Sequence, residues 1–185
     1  GSGAFYAFIG YRDDAGFPAD VVNGIEKEGD VFYHKYGWPN SKHVIHCVGY
    51  DFRTYAKREL GDLALSPEIA RDLLAKLYER LLMETAKSGP STLRLVPVSA
   101  GIFAGPLLGD MPAITAEALL DASAACFASS KMVGAKAEKD VFADYAAHAT
   151  VELCVYLERD FARYEAAWKA AVAKRVATDS TRSQK

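Results

Sequence analysis

The stretch LRLVPVSAGIFAGP, Leu93 to Pro106, holds the residues best suited to chemistry. An apolar run breaks at Ser99, Ala100 and Gly101, continues through Ile102 and Phe103, and meets a second glycine at Gly105. Small residues let a ligand approach the backbone, and amides that precede a helix point at an anion. A phosphate or diphosphate is the ligand class such a loop suits. A tight turn with Phe103 packed beneath it fits the same letters.

Other candidates carry less chemistry. Gly1, Ser2 and Gly3 form a second glycine-rich run, followed by Ala4. His43 and His46 stand three apart in a strand-like run, so they face opposite sides and do not share a metal. His34 with Asp30 reads as a solvated strand face. Cys47 has no visible activating partner for nucleophilic chemistry. Asp51 and Arg53 follow the second strand and lie either as polar lining near the loop or simply at the surface. Tyr156 closes the fourth strand at the same end, where an aromatic ring either stacks on a planar ligand or packs in the core. The chain has no Gly-x-Ser-x-Gly elbow, phosphate-loop motif or His-Glu-x-x-His.

The elements that must position these residues alternate between strands and helices. Residues 1 to 18 read as a loop with a short helix, and Ala19 to Lys27 as a helix. The alternation in DVFYHKY predicts a strand from Asp30 to Tyr36, and His43 to Tyr50 reads as a buried strand. Ser66-Pro67-Glu68 starts a helix that runs to about Lys87, with Ile69, Leu73, Leu77 and Leu81 on one stripe. Thr92 to Val98 is the third strand. Thr115 caps a helix through about Phe127, and Lys131 to Lys139 reads as a linker. Thr150 to Leu157 is the fourth strand. The last helix spans Asp160 to about Val176, with Phe161, Tyr164 and Trp168 on one stripe. Such alternation predicts an α/β fold with a largely parallel central sheet. The expectation is one domain over residues 1–177 and a polar tail at 178–185. In such sheets, ligands bind beyond the carboxyl ends of the strands, where residues 99 to 105 fall.

The 185 residues suit one domain with a sizeable core. A net charge of −2 gives no strong nucleic-acid signal and no pull toward an anionic membrane. No run is expected to span a membrane, and the start does not read as a signal peptide. Cys47, Cys126 and Cys154 have no metal spacing, and Cys47 and Cys154 read as small core residues in a reducing, intracellular compartment. No metal and no cofactor are expected.

In combination these segments resemble the macro domain, an ADP-ribose-binding module, in order and over nearly the whole chain. VIHCVGY is similar to the family's VIHxVGP motif, and PVSAGIFAGP to its PxxSxGIFGxP loop. GSGAFYAF resembles its glycine-rich loop, and VELCVYLERDFARYEAAW its final strand and helix. The resemblance implies a three-layer α/β/α sandwich around a mixed, largely parallel sheet. It implies that Ser99, Ala100, Gly101, Ile102 and Phe103 cradle the diphosphate of ADP-ribose, with Phe103 along the distal ribose. Gly1, Ser2, Gly3 and Ala4 are then the opposite wall, and Tyr156 sits against the adenine. The partner implied is ADP-ribose or an ADP-ribosylated protein, in the cytoplasm or nucleus. The family's first two strands, adenine-binding Asp and Asn motif are not represented, so a second chain or segment is expected to complete the sheet, or the sheet is rebuilt. Phe5 stands where the hydrolase branch carries an acid, Tyr50 where the family has Pro, and Ala104 where it has Gly. Recognition of the nucleotide is therefore the first reading. Hydrolysis of an ADP-ribosyl group in the same cleft, and a ligand-free protein-interaction module, are the alternatives.

Overall fold

The computed structural model describes residues 2–37, 41–61, 64–132 and 136–182. It is an α/β fold, mostly helical, with two separate two-stranded sheets. Helix α1 (Ser2–Ile9), a 3-10 turn and helix α2 (Ala19–Gly24) lead into strands β1 (Val31–Tyr36) and β2 (Lys42–Cys47). A π-helical turn (Ala56–Leu60) precedes α3 (Pro67–Ser88). Strand β3 (Thr92–Leu95), a kinked 3-10 segment (Gly101–Leu107), α4 (Met111–Met132) and α5 (Lys136–His148) follow. Strand β4 (Thr150–Leu153) and α6 (Glu158–Arg182) end the order.

Helix α3 has the ends its sequence encodes. The Ser66 hydroxyl accepts from the Ile69 amide at 3.3 Å, Pro67 occupies the first turn, and Gly89 takes the left-handed cap at φ 85°. Its buried stripe is Ala70, Leu74, Leu77, Tyr78 and Leu81, rotated slightly from the expected one, so Ile69 and Leu73 sit at the boundary. This face packs on α4, and α4 in turn lies against α5 and α6. The shared core includes Phe52, Leu93, Leu95, Val98, Ala104, Met111 and Cys126. Fully burying each large apolar side chain here contributes about 1.5–3 kcal/mol.

Strands β1 and β2 form an antiparallel hairpin, in register from Val31 with Cys47 to Tyr36 with Lys42. One face turns Val31, Ile45 and Cys47 toward the main core. The other buries Tyr36, Val44 and His46, with Ile9 of α1 and the rings of Tyr6, Tyr11 and Phe17 over them. Strands β3 and β4 are parallel, with Thr92 opposite Thr150 and Leu95 opposite Leu153. Their connection runs through α4 and α5, as a parallel pair requires.

The expected central sheet is thus divided, and β2, β3 and β4 each stop short of the predicted carboxyl end, whereas β1 ends at Tyr36 as expected. The cause is visible at β3. Beyond Leu95 the Val98 amide donates to the buried Tyr78 hydroxyl at 3.1 Å rather than to a neighbouring strand. The exits of β2 and β3 still converge. A Cβ on Gly49 would lie 2.7 Å from Ser99 Oγ and 2.9 Å from Val98 Cγ1.

Several other expectations are corrected. Thr115 is buried inside α4 rather than capping it. The helix starts at Met111, where Pro112 fits the first turn and the Ile114 amide bonds to the Asp110 carbonyl at 3.0 Å. The expected linker is largely helical, within α4 and α5, and its residues 133–135 lie outside the described ones. Helix α6 continues to Arg182. Its aromatic stripe is only partly covered: Tyr164 is half-buried, but Phe161 is 58% and Trp168 40% exposed, while Ala171 is buried. Cys154 is exposed, just beyond β4, whose outer edge has no strand partner among the described residues. All three cysteines are free thiols. Contrary to the sequence expectation, one window, Met111–Ala128 of α4, is long and apolar enough to cross a membrane, with mean hydropathy 1.2. Half of it is buried inside the fold, in the manner of a core helix.

Candidate ligand-binding loop

The loop after β3 is shaped by two left-handed residues on either side of one extended one. Ser99 has φ 58°, Ala100 is extended at φ −77° and ψ 174°, and Gly101 has φ 66°. A left-handed serine is strained and persists only where its surroundings compensate. Here the Ser99 hydroxyl accepts from the Tyr50 amide at 2.7 Å, which ties the loop to the exit of β2. Ser99 is buried, whereas Gly101 faces open space: no atom would lie within 4 Å of a Cβ there.

The 3-10 segment that follows has no side-chain cap. Amides in a first helical turn lack an internal partner, so an uncapped start leaves donors for another acceptor. Ile102 is 71% and Phe103 47% exposed. Phe103 therefore does not pack beneath the turn, and the tight-turn alternative loses its buried ring.

A second segment, residues 49–53, runs along this loop. The Phe52 amide donates to the Phe103 carbonyl at 2.9 Å. The Phe52 side chain is buried in the core and stacks on Tyr50 at 6.0 Å, with Tyr55 edge-on to both. Gly105, at φ 53°, lets the chains touch: a Cβ there would lie 3.0 Å from the Arg53 Cα and N. The Arg53 guanidinium lies over the Phe103 ring, 5.0 Å from its centroid. Its Nε and Nη2 donate to the two Asp51 carboxylate oxygens at 2.8 and 2.6 Å. Those hydrogen bonds from Arg53 hold the Asp51 carboxyl below the usual carboxylate range. The Asp51 amide in turn donates to Glu28 at 2.9 Å.

The remaining predicted residues are more dispersed. Tyr156 lies in a bend just after β4 and is 77% exposed, so it is not a core tyrosine. Its segment leads into α6, whose Arg163 donates to the Gly109 carbonyl at 2.9 Å, beside the end of the loop. Ser2, Gly3 and Ala4 lie on α1, in helix rather than in a loop. The far end of α1 is held at the opposite end of the hairpin, where Lys42 donates to the Phe8 carbonyl and lies 4.4 Å from the Phe8 ring centroid. Gly1 lies outside the described residues. The aromatic support from Phe52 and Tyr55 and the Tyr78 hydroxyl were not singled out from the sequence. Their signal was the adjacency of Tyr50, Phe52 and Tyr55 to the VIHCVG run.

Two open depressions lie elsewhere. One, about 560 Å³, is lined by His43 and residues 88–92; the other, about 540 Å³, by residues of α3 with Gly24, Asp30 and Val31. Neither includes the 99–105 loop. Among the described residues no three of His, Cys, Asp or Glu converge as metal ligands. Burial pushes the Cys47 thiol up to about 11, which leaves it a poor nucleophile. No protein-family model matches the chain, and no curated protein or solved structure matches it.

Proposed function

We propose that this chain binds ADP-ribose or a related nucleotide diphosphate, free or protein-linked, through the loop Ser99–Gly105 of a macro-like domain. One observation carries the reading. Two left-handed residues hold a small-residue loop open at Gly101, between the buried Ser99 and the exposed Phe103. Concave runs of backbone amides of this kind suit anions. Phe103 offers a flat apolar wall for a ribose, and the exposed Tyr156 ring is free to stack on a base.

The finer architecture belongs to the same proposal: a three-layer sandwich whose mixed sheet is completed by another chain or segment at β4. The support is that, among the described residues, β4 pairs only with β3, and that its Val151 is exposed. Parallel strands are ordinarily covered on both faces. Binding is favoured over ADP-ribosyl hydrolysis because the acid beside the loop, Asp51, is ion-paired and made a weaker base by Arg53. The ligand-free interaction module is the outcome if titration fails.

Calorimetric titration with ADP-ribose tests the reading. Saturable heat is expected, and Gly101→Glu, which puts bulk and negative charge into the open position, is expected to abolish it. Absence of heat and of a thermal shift at millimolar ligand sinks the proposal. So does a Gly101→Glu protein that binds like the parent.

A further inference from the structure

We infer that Asp51 and Arg53 form a charge gate on this loop, with Asp51 holding the guanidinium until a diphosphate takes it over. The inference rests on the reading of the loop as a diphosphate site. Arg53 is fixed at its base and open to solvent at its tip. Its backbone abuts Gly105, and the neighbouring Phe52 amide is bonded to the Phe103 carbonyl. Its guanidinium lies flat over Phe103 with 43% of the side chain exposed. The fork that now meets two oxygens of Asp51 meets two oxygens of a phosphate equally well. The Arg53 side chain is 43% and Asp51 24% exposed, so an incoming phosphate can reach the fork and compete with the carboxylate for it.

The partner carboxylate matters as much as the cation. Asp51 is a fixed negative charge beside the loop that is to hold a more negative ligand. Paired with Arg53 it is neutralised; once the guanidinium turns to phosphate, Asp51 repels the ligand and competes for the same fork. Removing Asp51 therefore strengthens binding, and removing Arg53 weakens it twice over, by losing a donor and by unmasking the carboxylate. The second loss disappears when both are removed. A purely structural pair has no such sign pattern.

The test is titration of the full chain with ADP-ribose, and with pyrophosphate as a probe lacking sugar and base. The proteins are the parent, Asp51→Asn, Arg53→Ala, the double variant and Gly101→Glu, each checked for its thermal midpoint. Arg53→Ala is expected to weaken both probes by about tenfold or more. Asp51→Asn is expected to tighten both by a few fold, and the double variant to fall between Arg53→Ala and the parent. If Gly101→Glu abolishes binding while Asp51→Asn and Arg53→Ala bind like the parent, the gate alone is wrong. If Asp51→Asn weakens binding as Arg53→Ala does, the pair braces the loop and does not gate it. If the parent binds neither probe, the loop reading and the gate fall together.

Discussion

The two strand pairs of this molecule have opposite surroundings. The hairpin β1–β2 is covered on both faces, by α3 on one side and by α1 with its aromatic neighbours on the other. The pair β3–β4 is covered on the face of Leu93 and Leu95, where Val151 at the edge is still exposed, and its other face, with Arg94 and Glu152, lies in solvent. The hairpin encloses polar groups that must be satisfied inside. The Tyr36 hydroxyl meets His46 Nε2 at 3.0 Å, and the Phe17 ring stands edge-on to His46 at 4.9 Å. The open pair keeps its polar groups in solvent, and the candidate loop hangs from its end. Burial thus makes one region sensitive to protonation, and exposure leaves the other free to meet a ligand.

The largest expected effect lies in the closed region. Burial, helped by the nearby His34, lowers His46 to about 4, against an ordinary value near 6.5. The folded state therefore resists a proton that the unfolded chain accepts. Stability should be complete above about pH 6.5 and fall as pH drops toward 4, by about 3 kcal/mol in all. Denaturant unfolding across that range measures it. His46→Phe should lower stability near neutrality and flatten the slope between pH 6.5 and 4; an unchanged slope would place the titration elsewhere.

A smaller effect is expected where the two exits meet. Ser99→Ala leaves the Tyr50 amide without its acceptor and should cost about 1–2 kcal/mol by thermal or chemical unfolding. Ser99→Gly removes the same bond but relieves the left-handed strain, and should be the milder change. If alanine is tolerated better than glycine, the strain argument fails. The smallest effect belongs to the open pair. Arg94 bridges to Glu152 at 2.8 Å across β3 and β4 with its side chain 76% exposed. Arg94→Ala should leave the unfolding midpoint within error, and a clear shift would mean that this face is covered in solution.

How legible these regions were follows the range of the interactions involved. Local signals were read well. Ser66 with Pro67 marked the start of α3, and the alternation in DVFYHKY marked β1, because caps and periodicity are written in neighbouring residues. Features made by distant residues were not readable. Nothing near Val98 announces that Tyr78 will take its amide and end the strand, and nothing near Ser99 announces that it serves Tyr50. Thr115 looked like a cap because threonine usually is one in that position, yet Asp110 and Pro112 set the start a turn earlier. In the candidate site, the loop was legible as small residues around an aromatic. The ion pair lying over that aromatic was legible only as two charged letters, Asp51 and Arg53, after a strand.

The parallel pairing of β3 with β4 also sets an order of assembly. That pairing closes a span containing both α4 and α5, and so large a closure costs chain entropy before any contact rewards it. The hairpin joins strands that are close in sequence, β1 ending at Tyr36 and β2 starting at Lys42, and such units close on a microsecond scale. The Tyr78 contact with Val98 spans only 20 residues. Both are available before β4 arrives, so the loop takes its shape on a half-built platform. The last strand to dock is the one whose outer edge has no strand partner among the described residues, which leaves the nascent chain open to a neighbour once the loop after β3 is already in place.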